Sequence, residues 1–533
     1  DHHTLAEEVS RTIIERTDGI PLFIEELTNT LLQKALVHTV NHTVKFTSAD
    51  SLKAIPNNLQ ESLQQKLDNL IYAKETAQLA ASIGREFNYA LLASASNFDE
   101  ERLQIDLNEL VESGLVYVQR NVDGNCYIFK HALVKDAAYD STPLSYRKAI
   151  HLRIAESMIS SANIENQEPL IIAQHFAGAE DFHSAALHGI TAITRSSKNC
   201  AYLESQKIGD DVEKWIAMIP AENRQLLTIN LNTKLIPAKR MIEGWGANSI
   251  KHSTEQSLAL IKTLREQGYD TASSALDEAE HICELALLLY HHYQGNREKA
   301  REFGENLLAK ILQSGDRVKE VMTLSILGQA YFFEGEFAKA KPVLRRVIAL
   351  YDAEKDTHLH EETGFDPFNF ATGNLMCIEA ITGNHTHARQ LYTRCIEHAQ
   401  QTENISIIIV AYTFGTCLFL ILNDLKAMSQ CTNEVINTYG DSIKSNWIYR
   451  NFYMMHDWTR NEYKQSEITV AEDVASGQDS FLSWYVPALA DTYINHGFYD
   501  KAVILMEDSE KRSVQSGENC ILPITYRYLA KAH

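Results

Sequence analysis

The sequence predicts a mainly α-helical protein whose larger part is a stack of helix pairs. Apolar residues recur at helical spacing throughout residues 144–533, and a glycine followed five residues later by an alanine recurs in the same stretch. The one clear β signal is a pair of short β-rich runs near residues 115–129. A chain of 533 residues is too long for one hydrophobic core, so we expect several domains or a repeat array.

The composition is that of an ordinary globular protein with a strongly acidic surface. Apolar residues make up 45% and charged residues 22%, which excludes collagen-like and largely disordered chains. The 49 Lys and Arg residues stand against 70 Asp and Glu residues, giving a net charge of −21 at pH 7. Because binding to phosphate backbones or anionic lipid needs basic residues that displace counterions, we expect this segment to bind neither nucleic acid nor membrane.

The eight cysteines form no C-x-x-C pair and are spread thinly along the chain. This spacing predicts free, buried thiols in a reducing, cytoplasmic compartment, with no disulfide framework and no metal site. The chain begins without Met or a signal pattern and ends within a helical pattern, so we expect it to be a piece of a longer polypeptide.

One stretch, Ile405–Leu422, is uncharged and 18 residues long, which is near the lower limit for a membrane-spanning helix. Ser, Thr, Gly, Tyr and Cys interrupt it, and no basic cluster flanks either end. We interpret it as a helix buried inside a helical array rather than as a membrane span.

In residues 1–50 we predict two helices that are separated by a turn and followed by a polar loop. The turn is Gly19-Ile20-Pro21, and its proline occupies the first helical position, where the missing N–H costs nothing. The apolar residues of the second helix share one face, which we expect to be buried: Leu22, Phe23, Leu27, Leu31 and Leu32.

In residues 51–143 we predict four helices and a β-hairpin. The helices begin at Ile55-Pro56, Lys74, Asn88 and Asp99, and the second and fourth end at Gly84 and Gly114. The hairpin joins residues 115–118 to 127–129 through a turn at Asp123-Gly124-Asn125. Helices followed by a hairpin are typical of a winged-helix domain. The helix before the hairpin carries six carboxylates and one arginine, which predicts that the wing packs against protein rather than DNA.

In residues 144–533 we predict helix pairs throughout. The glycine–alanine pairs are Gly295/Ala300, Gly335/Ala340, Gly383/Ala388 and Gly497/Ala502. The first three pairs lie 40 and 48 residues apart, and the gap of 114 before the last fits three units of similar length. With Gly328 and Tyr331, this is the spacing of a tetratricopeptide repeat, in which small residues lie where two helices cross closely. We therefore predict an α-solenoid with a concave surface for a partner.

No complete catalytic motif is present: the sequence contains no G-x-x-x-x-G-K-[ST], G-x-G-x-x-G, H-E-x-x-H or G-x-S-x-G. Two small segments stand out, residues 16–27 (RTDGIPLFIEEL) and residues 129–139 (FKHALVKDAAY). Taken singly, each has a structural explanation, as a helix start at Pro21 and a helix cap or junction filler at His131.

In their order, the two segments resemble motifs of the STAND ATPases (signal-transduction ATPases with numerous domains). Residues 16–27 resemble the G-x-P segment that closes the nucleotide-binding module, and residues 129–139 resemble the histidine motif of the winged-helix domain, with Ala132 in place of Asp. The resemblance implies that Gly19 and Pro21 belong to the nucleotide site, that Pro21 packs on adenine and that His131 reaches the ADP β-phosphate. The implied cofactor is ATP or ADP with Mg²⁺, held mostly by residues before Asp1.

Further segments, such as residues 55–70 and 335–352, resemble bacterial predicted ATPases joined to class III adenylate/guanylate cyclase domains. The resemblance implies a regulatory part whose repeat array binds a protein or small-molecule inducer and controls ATPase and output domains upstream in the same polypeptide. A STAND-type transcriptional regulator and a repeat scaffold without nucleotide control are the alternatives. This chain lacks a P-loop and catalytic residues, so an enzymatic activity of the parent protein is implied by the resemblance alone.

Overall fold

The computed structural model describes residues 4–40, 42–48, 58–121, 124–160, 168–269, 274–360, 364–443, 447–476 and 482–533. The described part contains 26 α-helices and six short strands, so the predicted mainly α-helical fold is confirmed. The chain divides into two compact units, Asp1–Ala185 (unit 1) and Ala186–His533 (unit 2). The finer division at residues 50 and 143 remains a prediction.

Unit 1 combines helices with two three-stranded sheets. Its strands are β1 (Thr4–Leu5), β2 (Val37–Val40), β3 (Thr43–Phe46), β4 (Glu86–Asn88), β5 (Val116–Asn121) and β6 (Gly124–Phe129). Its helices are α1 (Glu7–Thr17), α2 (Pro21–Gln33), α3 (Leu59–Asp68), α4 (Lys74–Ile83), α5 (Tyr89–Ala95), α6 (Glu100–Glu112), α7 (Ala132–Asp140), α8 (Leu144–Ser160) and α9 (Pro169–Gly178), and α10 (Phe182–Lys198) crosses the boundary to unit 2.

The two helices predicted at the start of the chain are present as α1 and α2. They share a small core of Val9, Ile13, Phe23, Leu27 and Leu31. Leu32, predicted on the buried face, is 63% exposed, and the side chain of Leu22 lies outside the described residues. The polar loop predicted after α2 is wrong, because β2 and β3 form an antiparallel hairpin there and β1 joins β3 in parallel. The sequence signal that was missed is the β-branched pattern of both strands.

The helices predicted around residues 74–112 are confirmed. α4 has the predicted bounds, and α5 and α6 begin after Asn88 and Asp99. Both residues cap their helix: Asn88 accepts the N–H of Leu91 at 2.7 Å, and Asp99 accepts the N–H of Arg102 at 2.9 Å. The helix start predicted at Ile55-Pro56 lies outside the described residues.

The predicted hairpin is present as β5 and β6, which pair antiparallel from Val116 opposite Phe129 to Asn121 opposite Gly124. Gly124 and Asn125, predicted in the turn, belong to β6, and Asp123 lies outside the described residues. A third strand, β4, pairs antiparallel with β6 and gives the order β4-β6-β5. At three residues, β4 is too short for a periodicity signal, and its place is fixed by the hairpin.

Unit 2 is helical throughout its described residues, as predicted. Its helices are α11 (Tyr202–Met218), α12 (Gln225–Glu243), α13 (Asn248–Glu266), α14 (Ser274–Tyr293), α15 (Arg297–Ser314), α16 (Arg317–Phe333), α17 (Phe337–Leu350), α18 (Pro367–Ile381), α19 (His385–Gln401), α20 (Ile405–Leu422), α21 (Leu425–Ile443), α22 (Trp447–Arg460), α23 (Lys464–Ser476), α24 (Leu482–Asn495), α25 (Tyr499–Ser516) and α26 (Leu522–Ala532). From α14 onward they form six consecutive pairs, α14/α15 to α24/α25, which α26 follows.

The glycine–alanine spacing marks four of these pairs as predicted. Each of the four glycines has a positive φ, between 76° and 88°, and follows the first helix of its pair. The alanine five residues later is fully buried in the second helix in all four cases. At Gly328 a Cβ atom would lie 2.4 Å from a methyl group of Leu344, so these two helices cross where only glycine fits.

The gap of 114 residues contains two further pairs, which makes three units as predicted. Asn423 and Asn461 replace glycine there, with φ values of 52° and 59°. Five residues after each lies a buried side chain, Met428 and Ser466 respectively. Asparagine is the residue that, after glycine, best tolerates the left-handed conformation, so the same backbone turn is made without a glycine signal.

The first helices of several pairs are buried on all sides. Every residue of 321–333 in α16, 367–380 in α18 and 482–494 in α24 is buried. Among the described residues, α20 is the one helix long and apolar enough to cross a membrane, and 67% of it is buried within unit 2. This agrees with the interpretation of α20 as a core helix, since a helix that is apolar all round must be enclosed.

Glu109, one of the acidic residues counted on α6, stabilises the start of α4. Its carboxylate accepts the backbone N–H groups of Ile71, Tyr72 and Ala73 at 2.7, 3.1 and 3.0 Å. Burial acts to raise the pKa of Glu109, but the three N–H donors outweigh it and lower the pKa. The carboxylate thus satisfies donors that the helix itself leaves without partners.

A buried histidine pair joins α8 to α9. His151 Nδ1 lies 2.9 Å from His175 Nδ1, and the Tyr139 hydroxyl lies 2.9 Å from His151 Nε2. If Tyr139 donates to Nε2, then His151 Nδ1–H donates to His175 Nδ1, and both rings are neutral. Burial, helped by the charge of His151, lowers the pKa of His175 to about 4, and burial followed by the charge of Arg147 lowers the pKa of His151.

Replacing Glu109 by Gln should weaken the start of α4, because an amide offers one oxygen and repels the donors with its own N–H groups. We expect a loss of about 1–2 kcal/mol in local stability. Amide hydrogen exchange in α4 should therefore accelerate by about tenfold. Glu112→Gln, at an exposed position of the same helix, is the matched control, and equal exchange rates in the two variants would contradict this role of Glu109.

Unit 1 should lose stability as the pH falls from about 6.5 toward 4. The unfolded chain takes up protons near the ordinary histidine pKa, whereas the folded histidine pair takes them up only at lower pH, so acid favours unfolding. For His175 alone the loss is on the order of 3 kcal/mol. Denaturant midpoints measured between pH 7 and 5 should fall less steeply in His175→Gln than in the wild type. Identical slopes would show that this pair does not govern the acid response.

Candidate functional site

The first predicted nucleotide segment lies at the start of α2. Gly19 is exposed and has a φ of +74°, and no atom lies within 4 Å of the position that a Cβ would take. Glycine is therefore favoured at this position by the backbone conformation and not by lack of space. Pro21 is the first residue of α2 and is exposed to solvent. Its ring is therefore accessible on the surface of unit 1.

His131 precedes the first residue of α7 and is half-buried. Its side chain makes no capping hydrogen bond, and its Nε2 atom is buried without a hydrogen-bond partner. Ala132 follows it where the resembling motif carries Asp, so no side chain caps the helix here. A buried ring nitrogen without a partner costs about 1–3 kcal/mol, which a bound ligand would recover.

An ion pair brings the two predicted segments together within unit 1. Lys130 Nζ lies 2.5 Å from Glu25 Oε1, although 105 residues separate them in sequence. Glu25 follows Pro21 by four residues, so the two side chains share one face of α2. The hydrogen bond and the charge of Lys130 lower the pKa of Glu25, and the adjacent His131 adds a smaller effect in the same direction. The ion pair thus links the face of α2 that carries Pro21 to the segment that carries His131.

In unit 2, the end of α25 returns to the start of α15. The guanidinium of Arg297 donates to the carbonyl oxygen of Ser516 and lies 3.6 Å from a carboxylate oxygen of Glu518, across 219 residues of sequence. Arg297 is 5% exposed, and its guanidinium lies 5.2 Å from the ring centre of Phe333. We call Arg297, Ser516 and Glu518 the seam, since they join the first and the last of the six helix pairs.

Two contacts made by residues after α25 support the seam. Asn519 Nδ2 donates to the carbonyl oxygen of Glu334 at 3.1 Å, after the end of α16. Arg527, on α26, donates to the carbonyl oxygens of Leu420 and Ile421 at 2.9 and 2.8 Å. These carbonyls lie in the last turn of α20, where Leu420 also accepts the N–H of Asn423 at 3.2 Å, so Arg527 adds donors at the C-terminal end of that helix.

The closed array contains an aromatic cavity of about 50 Å³ between α14, α16, α18, α20 and α24. The rings of Phe332 and Trp484, 6.0 Å apart, pack α16 against α24 beside it. Two polar atoms of lining residues, Asn374 Oδ1 and Trp484 Nε1, are buried without a hydrogen-bond partner. The volume suffices for about three waters. The inner helices therefore bury one another's aromatic side chains around this cavity. The concave surface for a partner remains a prediction.

Arg240 in α12 is a buried residue that sequence analysis missed. Its guanidinium is fully buried, 5.2 Å from the ring centre of Trp245 and 5.9 Å from that of Phe365. Burial lowers the pKa of Arg240 to about 9. No sequence pattern separates such an arginine from a surface one, because part of its environment, the ring of Phe365, comes from a residue 125 positions away.

The eight cysteines are free, and all but the half-buried Cys200 are buried, as predicted. Within the described ranges, no group of three or more His, Cys, Asp and Glu side chains is arranged to hold a metal ion.

Comparison with known proteins finds similarity in solved structures. No protein-family model matches the sequence, and no curated protein matches it. A STAND protein with a tetratricopeptide repeat sensor from Pyrococcus horikoshii is similar over 95% of this chain and 72% of its own, at 12% identity and a TM-score of 0.39. A Rap protein complexed with competence and sporulation factor is similar over 86% of this chain and 99% of its own, at 13% identity and a TM-score of 0.38.

Proposed function

We propose that this chain is the regulatory part of a nucleotide-switched signalling protein, in which unit 1 contributes to a site for ADP or ATP and the helical array receives an inducer. The observation that carries the proposal is the Lys130–Glu25 ion pair. It links the face of α2 that carries Pro21 to the residue before His131, whose Nε2 has no hydrogen-bond partner. Adenine on Pro21 and a phosphate oxygen on Nε2 of His131 would use both features.

In this proposal, His131 stabilises the ADP state. Its imidazole N–H donates to an oxygen of the β-phosphate and so joins the segment after the hairpin to nucleotide held by the rest of the site. The phosphate-binding loop and the Mg²⁺ ligand come from residues outside this chain. His131 would lose this contact when ATP replaces ADP, and the protein would then shift toward an open state.

The output that we propose is a class III adenylate/guanylate cyclase domain elsewhere in the polypeptide. A transcriptional output is the alternative, and it needs a separate basic domain, since this chain carries a net charge of −21. A protein-interaction scaffold without nucleotide control is the second candidate function. The six helix pairs of unit 2 favour it, because such arrays bind partners without any nucleotide.

The test is the release rate of a fluorescent ADP analogue from the full-length polypeptide that contains this chain. His131→Ala should accelerate release by about tenfold, because one hydrogen bond to the phosphate is lost, and it should raise basal output. His38→Ala, at an exposed position of β2 in the same unit, is the matched control. Thermal unfolding of both variants checks that neither change acts through stability.

Equal release rates in the two histidine variants, at unchanged thermal stability, would contradict the proposed nucleotide switch. The chain would then be an interaction scaffold, and the Lys130–Glu25 ion pair would have a purely structural role.

A further inference from the structure

A cleft of about 620 Å³ opens at the seam. One wall is the turn between α14 and α15 with the first residue of α15, and the other walls are α23, α24 and α25. The cleft therefore lies between the first helix pair of the array and the last two. Its volume is within the range of sites that take small organic ligands.

The polar wall of the cleft carries buried groups that lack partners. Ser509, in α25, is 3% exposed and its hydroxyl has no hydrogen-bond partner. One guanidinium nitrogen of Arg297 contacts Ser516 and another contacts Glu518, but the Nε atom has no hydrogen-bond partner. Arg297 is also the first residue of the 18-residue helix α15, whose N-terminal N–H groups favour an anion. Buried donors without partners at a cavity wall indicate a ligand that accepts hydrogen bonds.

A second part of the lining is apolar. It consists of aliphatic side chains from three helices: Val470, Val474, Leu482, Val486 and Leu505. A ligand that fills the cleft thus needs an apolar part as well as an acceptor group.

The charges around the cleft favour an anion. Asp508 is paired with Arg512 at 2.7 Å, and Glu518 lies beside Arg297. Lys511 lines the cleft and is exposed, and no carboxylate among the described residues pairs with it. The lining therefore has three cations against two carboxylates, in a chain whose net charge is −21. A positive excess at one place on an acidic protein attracts anions to that place.

From the cleft's two walls and its charge, we infer that it binds a small organic anion with an apolar part, held by its carboxylate or phosphate group at Arg297, Ser509 and Lys511. The inference deepens the proposed function and rests on it only for the role of this ligand as the inducer. Because the ligand contacts the first and the last helix pairs at once, it binds the closed array more tightly than an open one. Binding therefore stabilises the seam by linkage.

The probe is 8-anilinonaphthalene-1-sulfonate, a fluorescent anion with an apolar ring system, titrated into the full chain. We expect one saturable site per chain, from which an alkyl carboxylate or an alkyl phosphate displaces the probe. Lys511→Glu should weaken probe binding by about tenfold, because a nearby cation becomes an anion. Lys207→Glu makes the same change of charge at an exposed position of α11 that does not line the cleft, and it should leave binding unchanged.

Displacement by the carboxylate alone or by the phosphate alone would identify the anionic group and support the site. No saturable binding, or equal weakening in both lysine variants, would overturn the inference. Neither outcome depends on nucleotide, so a failure here is distinguishable from a failure of the His131 test.

Discussion

One buried arginine joins the two ends of the array of unit 2. The guanidinium of Arg297 connects α15 to the end of α25 through Ser516 and Glu518. A buried charge of this kind is tolerable only while its partners are present, and breaking such a pair costs about 3–5 kcal/mol. The inner faces of α16 and α24 are aromatic, and the rings of Phe332 and Trp484 pack against each other where these two helices meet. We therefore expect the seam to determine whether the inner surface is a core or an open groove.

This arrangement gives the proposed signalling role a physical basis. A ligand in the cleft changes the balance between closed and open arrays by no more than its difference in affinity for the two, typically 1–3 kcal/mol. That range is comparable to the contribution of a few hydrogen bonds at the seam. A small ligand therefore suffices to shift the balance between closed and open arrays. The nucleotide site proposed for unit 1 responds on the same scale, because loss of one hydrogen bond to His131 changes ADP release by about tenfold.

Features of the fold that depend on neighbouring residues were predictable from the sequence. Contacts between residues far apart in the sequence were not. Gly335 and Ala340 predict a helix pair because a left-handed turn and a close helix crossing each depend on few neighbouring residues. Asn423 makes the same turn without glycine and was missed, as were the residues of β4, whose strand depends on the hairpin. The seam joins residues 219 positions apart, and no periodicity encodes such a contact. For the same reason the sequence identified Pro21 and His131 as separate candidate residues. The Lys130–Glu25 ion pair, which joins their segments across 105 residues, was found only in the structure.

The most direct test of the closed array is amide hydrogen exchange in the full chain with Arg297→Gln. We expect the amides of α16 and α24 to exchange at least tenfold faster than in the wild type, because loss of the seam admits water to their aromatic faces. Arg346→Gln, which removes an ion pair from an arginine that is 57% exposed, should leave those amides protected. Unchanged protection of α16 and α24 in Arg297→Gln would contradict the account, since the array would then be closed by packing alone.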